Sequence, residues 1–110
     1  MPATPNERMQ GTLDLLVLRA LHAGPAHGWS IADRIQVVSR DILSIGQGSL
    51  YPALHRLEAR DWVTAEWGVA DTGRRARFYR LTPQGRRQLE VERASWTAFV
   101  EAVRRVLQYA

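Results

Sequence analysis

The sequence predicts a mainly α-helical domain with a small β-hairpin, followed by a long C-terminal helix. Three observations support this fold class. Apolar residues recur at helical spacing in three short segments before residue 61. Two runs rich in β-branched and aromatic residues follow, with turn residues between them. Beyond residue 82, apolar residues again recur at helical spacing over about 25 positions.

Length and composition narrow the possible functions. The 110 residues suit one compact domain, and the net charge of +4 favours an anionic partner. No cysteine is present, which excludes disulfides, thiolate metal sites and thiol catalysis. No apolar run approaches the ~20 residues that cross a bilayer, and residues 1–10 do not resemble a signal peptide. We therefore expect a cytoplasmic protein without a membrane partner.

Residues 1–8 are expected to form a flexible tail because they combine two prolines with polar residues. The first helix follows, with one apolar face made by Leu13, Leu16, Val17, Ala20 and Leu21. A second helix is predicted from about Gly28 to Ser39 and a third from about Gln47 to Arg60. Three short helices joined by tight turns predict a helix-turn-helix. Together with the hairpin they form a winged helix-turn-helix domain over residues 9–82.

The third helix has two faces. Leu54 and Leu57 each lie within about 40° of Leu50 at 100° per residue, and all three are expected to face the core. The opposite face carries groups that suit a nucleic-acid groove: Gly48, Ser49, Pro52, His55, Arg56 and Ala59. Tyr51 lies to one side, where its hydroxyl could reach a phosphate. The alternative is a plain solvated face with an ordinary core tyrosine, and the basic hairpin downstream favours DNA.

The hairpin is predicted from strands over Trp62–Val69 and Ala76–Leu81, joined by turn residues 70–73. Between Gly73 and Arg87 lie six arginines without an acidic residue among them: Arg74, Arg75, Arg77, Arg80, Arg86 and Arg87. Arg74, Arg75 and Arg77 near the tip are expected to contact phosphates or enter a minor groove. The alternative is a solvated turn whose charges only aid solubility. Trp29 and Trp67 are interpreted as packing residues.

The final helix is predicted to begin with Thr82 as its N-cap and Pro83 at its first position, and we assign residues 83–110 to it. It carries an apolar stripe made by Leu89, Trp96, Val100, Val103 and Leu107. Because the preceding domain already uses its own core, this stripe predicts a dimerisation helix that packs on a second copy. Trp96 is either an interface residue or the aromatic wall of a ligand pocket between subunits.

Catalysis and metal binding are not predicted. His22, His27 and His55 do not combine with carboxylates at metal-ligand spacing. No nucleophile, base and orienting group occur together, and no glycine-rich phosphate loop is present. The sequence therefore predicts a protein that is not an enzyme and that needs neither a metal nor a cofactor.

Four segments in order carry a family resemblance: GSLYPALHRLEARDWV from Gly48, then EWG, GRRARFYRLTPQGRRQL and ASW. They resemble the PadR family of bacterial transcriptional regulators over about residues 9–107. The resemblance implies a homodimeric winged-helix repressor whose third helix enters the major groove. By position, Ser49, Tyr51, Pro52 and Arg56 match the recognition helix, and Arg74, Arg75 and Arg77 match the wing.

The resemblance also implies partners. A dimer with two-fold symmetry should bind double-stranded DNA at a roughly palindromic operator. The C-terminal helix would cross to the first helix of the partner copy. In some compact members, a tryptophan that matches Trp96 stacks flat aromatic compounds, which suggests a planar aromatic or phenolic effector that releases the repressor. The alternative function is a winged-helix module that binds another protein and not DNA.

Overall fold

A computed structural model describes the backbone of residues 5–109 and the side chains of residues 11–109. The helices and strands follow one another in the order α1 (Pro5–His22), β1 (Ala26–His27), α2 (Gly28–Val38), α3 (Gln47–Ala59), β2 (Val63–Val69), β3 (Arg75–Leu81) and α4 (Pro83–Gln108). The predicted fold class, mainly helical with a small sheet and a long C-terminal helix, is confirmed. Within the described part of the chain, no helix is long and apolar enough to cross a membrane.

The sheet has three antiparallel strands in the order β1-β3-β2, one more than the predicted hairpin. The extra strand, β1, has two residues, and Ala26 pairs with Tyr79 of β3. Such a short strand leaves no alternating pattern in the sequence, so it could not be predicted. The hairpin itself is confirmed. Its turn is closed by a 2.8 Å hydrogen bond from the Ala70 N–H to the Arg74 carbonyl, with Gly73 at a φ of +84°.

One hydrophobic core joins α1, α2 and α3 to the base of the sheet. Its largest fully buried side chains are Leu18, Ile31, Leu50, Leu54, Leu57, Leu89, Val17 and Val63. Tyr79 and Leu81 of β3 close the core from the sheet side. The wing, defined here as β2, β3 and residues 70–74 between them, therefore has a buried base and an exposed tip.

The first turn of α4 is fixed to the segment between α3 and β2. The Thr82 hydroxyl accepts a 2.9 Å hydrogen bond from the Gly85 N–H and donates a 2.7 Å bond to the Asp61 carbonyl. The predicted N-cap is thus confirmed. A Cβ at position 85 would overlap the carbonyl oxygen of Trp62, so glycine is required for this close approach.

Leu89 is a correction to the predicted dimerisation stripe. It is only 1% exposed within a single chain and belongs to the core cluster. The reason is that the beginning of α4 packs on α1 and β3, which already buries this position. Farther along α4, Trp96 and Val100 are half-buried, whereas Val103 and Leu107 are exposed. The stripe that remains open to a partner therefore begins near Trp96.

The beginning of α1 also differs from the prediction. The helix begins at Pro5, so residues 5–8, which we expected in the flexible tail, are helical. Proline is compatible with the first helical turn, because its missing N–H has no partner there in any case. The rest of the predicted tail, residues 1–4, lies outside the described residues.

Candidate nucleic-acid interface

The rotation of α3 about its axis is fixed by its buried face. Leu50, Ala53, Leu54 and Leu57 are all buried, which confirms the predicted inward face and adds one alanine to it. Because side chains follow each other at 100° steps, burial of this face turns the opposite one to solvent. Ser49, Pro52 and His55 are accordingly exposed.

A groove separates this exposed face from the wing. It has a volume of about 1020 Å³ and is open to solvent. We call it the wing groove. It is lined by the first turn of α2, by two side chains of α3 and by the inner face and tip of the wing: His27, Gly28, Trp29, Ser30, Tyr51, His55, Trp67, residues 70–72, residues 74–77 and Tyr79. Most of the predicted DNA-contacting residues meet here.

An ion pair sets the distance between α3 and the wing. The Arg77 guanidinium donates to the Glu58 carboxylate at 2.9 Å, joining the middle of β3 to the last turns of α3. The same guanidinium lies 5.9 Å from the centre of the Tyr79 ring. Burial raises the pKa of the Tyr79 hydroxyl, and the neighbouring Arg77 acts in the opposite direction. Arg77 therefore joins the wing to α3 through a guanidinium group that one carboxylate already partly engages.

The wing carries less unpaired charge than its sequence suggests. On the other face of β3, Arg80 pairs with Glu66 of β2 at 3.6 Å. The prediction of six uncompensated arginines is wrong, because Glu58 and Glu66 lie outside that stretch of sequence and reach it only in the fold. Arg74 and Arg75 are exposed at the tip. Arg86 and Arg87 lie beyond the other end of β3, about 20 Å away along a seven-residue strand.

Trp29 and Trp67 do not pack in the interior, contrary to the interpretation from sequence. They are 68% and 63% exposed, and both line the wing groove. Trp67 alternates onto the same face of β2 as the buried Val63, but it lies beyond the point where the core ends. Exposed aromatic surface next to arginine suits a nucleic-acid groove better than a core.

Tyr51 leans against the beginning of α2. Gly28 makes this contact possible, since a Cβ at that position would lie only 2.7 Å from the Tyr51 hydroxyl oxygen. The tyrosine remains 41% exposed and lines the groove. Its hydroxyl therefore lies at the junction of α2 and α3.

His27 stabilises the beginning of α2. Its ring accepts a 3.4 Å hydrogen bond from the Ser30 N–H and so caps α2. The ring also meets Phe78 edge to face, with 5.3 Å between centroids. Across the described side chains, no group of three or more His, Asp or Glu residues is arranged to hold a metal ion.

Arg56 differs from the other residues of the predicted reading face. Its Nη2 donates to the Asp14 carboxylate of α1 at 2.8 Å, and its Nε is buried without a hydrogen-bond partner. Much of this guanidinium therefore holds α3 on α1. Sequence reasoning missed Asp14, although a single carboxylate inside the apolar run from Leu13 to Leu18 was a signal for a partly buried ion pair.

Comparison with known proteins agrees with this geometry. Residues 17–91 match the model of the PadR-like family of transcriptional regulators. A Streptomyces fradiae protein encoded in transposon TN4556 is 47% identical over 78 residues, which are 71% of this chain and 21% of that protein. The transcriptional regulator Rv3488 of Mycobacterium tuberculosis is 44% identical over 72 residues, covering 66% of this chain and 64% of that one. The chain thus spans less than two thirds of either relative.

Solved structures share the fold over nearly the whole chain. A PadR-like transcription factor from Bacteroides fragilis is 30% identical with a TM-score of 0.74, covering 92% of this chain and 95% of that one. A transcriptional regulator from Clostridium thermocellum has a TM-score of 0.80 at 24% identity, over 89% and 95% of the two chains. The second likeness concerns the fold alone.

The Arg56–Asp14 pair gives a testable prediction about stability. Asp14→Asn keeps the shape but leaves a half-buried guanidinium without its counter-charge. We expect the free energy of unfolding to fall by about 1–3 kcal/mol in a denaturant titration. The matched control is Glu66→Gln, which breaks the exposed 3.6 Å pair with Arg80 and should cost at most about 0.5 kcal/mol. Equal small losses in both variants would contradict a structural role for Arg56.

Proposed function

The chain belongs to the PadR-like family of transcriptional regulators, and on that premise we propose that it is a homodimeric repressor that binds specific duplex DNA sequences. The family consists of regulators of transcription and not of enzymes. The main structural support for this proposal is the composition of the wing groove. This groove combines an exposed helix face with two tip arginines, Arg74 and Arg75, that form no ion pair with a described carboxylate.

Sequence reading is assigned to the outer face of α3. The major groove of B-DNA admits an α-helix and displays a distinct donor and acceptor pattern for each base pair. Ser49 and His55 supply short polar side chains that can hydrogen-bond base edges, while Pro52 and Gly48 allow the helix to approach closely. Arg56 contributes by holding α3 on α1 through its ion pair with Asp14.

Backbone binding is assigned to the wing and to Tyr51. Arg74 and Arg75 at the tip are exposed, which leaves their guanidinium groups open to phosphates beside the groove that α3 would enter. Arg77 fixes the wing through Glu58, so its part is to hold the tip at the right distance from α3. The Tyr51 hydroxyl, at the edge of the groove, is a further donor for a phosphate oxygen.

The homodimer is supported by two apolar surfaces that a single chain leaves open. One is the far end of α4, where Val103 is 40% and Leu107 79% exposed. The other is a groove of about 320 Å³ between α1 and α2, lined mainly by Leu16, Ala20, Ile35, Val38 and Leu43. Apolar patches of this kind are typical of interaction sites, and full burial of one Leu or Val contributes about 1.5–3 kcal/mol.

The dimensions of α4 favour a second copy as the occupant. The helix has 26 residues, about 39 Å, and its fully buried residues, Gly85 and Leu89, lie in its first two turns. The molecule consequently measures 57 Å along its longest axis but 29 and 22 Å along the others. With two-fold symmetry each α4 would cross to α1 of the other copy, and both apolar surfaces would be covered reciprocally.

The regulatory part of the proposal concerns Trp96. Its ring lies 5.8 Å from that of Phe99 and tilted to it, on the stretch of α4 that the dimer would enclose. We infer that a planar aromatic or phenolic compound could stack there and release the repressor from DNA. The test is whether planar aromatic or phenolic compounds lower DNA binding measured by fluorescence anisotropy, and whether Trp96→Leu removes that response.

A protein that works on the bacterial chromosome acts in the cytoplasm.

The proposed DNA binding predicts a strong dependence on salt concentration. Binding to a labelled duplex should weaken steeply as salt rises, since each phosphate contact releases counterions. Replacing Arg74 and Arg75 together by alanine should weaken binding to all sequences about equally and lower the slope of log K against log [salt] by about 2. Fluorescence anisotropy at several salt concentrations measures both effects.

Arg80→Ala is the matched control for that experiment. It removes one positive charge from the same strand, but on the face that points away from the groove and pairs with Glu66. We expect a small loss of affinity with little change of slope. A slope change for Arg80→Ala that is half as large as that of the Arg74 and Arg75 double variant, and thus equal per charge removed, would contradict the assignment of the tip. Absence of any duplex binding by the unsubstituted protein would favour the protein-interaction module.

Dimerisation gives a separate prediction. Val103→Glu or Leu107→Glu would place a charge in the apolar contact between α4 and the partner copy. Light scattering should then show a shift from dimer to monomer, because an unpaired buried carboxylate is strongly disfavoured. Thr64→Glu serves as the control, since it adds the same charge at an exposed position of β2. A dimer that persists in both α4 variants would refute this interface.

A further inference from the structure

We propose that Trp67 is a positioning residue for DNA binding, which holds the Arg75 guanidinium on the groove side of the wing so that its N–H edge meets a phosphate. This inference rests on the proposed DNA binding and deepens it. It assigns to an exposed tryptophan a function that packing does not explain. It also singles out one wing arginine from the others.

The register of the hairpin brings the two side chains together. Trp67 lies opposite Arg77, and Val69 lies opposite Arg75. Arg75 is therefore the diagonal neighbour of Trp67 on the same face of the sheet, within reach of a long side chain. The Arg75 Cζ lies 5.1 Å from the centre of the Trp67 ring, which is the distance of a cation–π contact.

The wing arginines fall into three classes. Arg77 and Arg80 are held in place by Glu58 and Glu66, so each already has one guanidinium nitrogen beside a carboxylate. Arg74 is exposed, and no described side chain orders it by an ion pair or a ring contact. Arg75 is ordered by a ring, and no carboxylate among residues 11–109 forms an ion pair with it. Among these four wing arginines, Arg75 alone is ordered by a contact that leaves every N–H donor unpaired by a described carboxylate.

Stacking leaves the chemistry of the guanidinium available. The contact with the indole uses the flat face of the group, whereas its five N–H donors point outward in the plane. An unrestrained arginine side chain loses much conformational entropy when it binds a phosphate. Because the Trp67 ring already restricts Arg75 before DNA binds, Arg75 loses less entropy on binding. Trp67 thus acts on affinity through Arg75, without needing to contact DNA itself.

A double-mutant cycle tests the inference on the full chain. Affinity for a labelled random-sequence duplex is measured for the unsubstituted protein, Trp67→Leu, Arg75→Gln and the double variant. Loss of an exposed cation–π contact corresponds to about two- to five-fold weaker binding for Trp67→Leu. Arg75→Gln should weaken binding further and lower the salt slope by about 1. In the Arg75→Gln background, Trp67→Leu should cause no additional loss.

Two controls separate positioning from a general effect of the substitution. Trp67→Phe keeps an aromatic face and should restore most of the affinity. Arg80 does not contact Trp67, so no coupling between these two residues is expected. In an Arg80→Gln background, Trp67→Leu should therefore weaken DNA binding by the same factor as in the unsubstituted protein. The circular dichroism spectrum and the thermal unfolding midpoint of both Trp67 variants should match those of the unsubstituted protein, since Trp67 is 63% exposed.

The outcomes distinguish this inference from the proposed function. Full affinity in Trp67→Leu, or the same loss with and without Arg75, would overturn the positioning role while leaving DNA binding intact. A loss that Trp67→Phe does not restore would also overturn it. If the unsubstituted protein binds no duplex at any salt concentration, both this inference and the proposed function fail.

Discussion

The burial of one face of α3 is the constraint on which the remaining structure depends. Four apolar side chains of this helix enter the core, and their spacing leaves the helix no freedom to rotate. Ser49, Pro52 and His55 must then face outward, and Glu58 must face the wing. Rotation of the helix would expose the leucines and bury polar groups, at a cost of several kcal/mol. The reading face is thus a consequence of core packing.

The charges of the groove divide into those that build it and those that remain available. The ion pairs Arg56–Asp14 and Arg77–Glu58 connect α3 to α1 and to the wing, and they bridge 42 and 19 positions of sequence. Both are partly shielded from solvent, so removing one partner costs more than it does in an exposed pair, because the remaining charge is left uncompensated. The contacts that connect α3 to α1 and to the wing are therefore charge-balanced. The unpaired positive charge is left at the tip of the wing, where it is exposed to an anionic partner.

Local patterns in the sequence were sufficient for the helices, the hairpin and the inward face of α3, because each of these leaves a periodic signal. Features that depend on contacts between distant segments could not be predicted. Strand β1 is too short to show a periodic pattern. Glu58 and Glu66 lie outside the basic stretch of sequence and approach its arginines only in the folded chain. Leu89 is buried because the beginning of α4 packs on the core, which its own sequence does not indicate. The exposure of Trp67 follows from where the core ends along β2.

Selection of bound duplexes from a random pool tests most directly the claim that α3 and the wing read DNA as half of a symmetric pair. The account predicts enrichment of inverted half-sites whose centres lie about one helical turn, 10–10.5 base pairs, or a multiple of it apart. It also predicts that the wing tip adds affinity without altering the enriched bases. Enrichment of single, unpaired half-sites would contradict the dimer, and a pool that remains random would contradict sequence reading by α3.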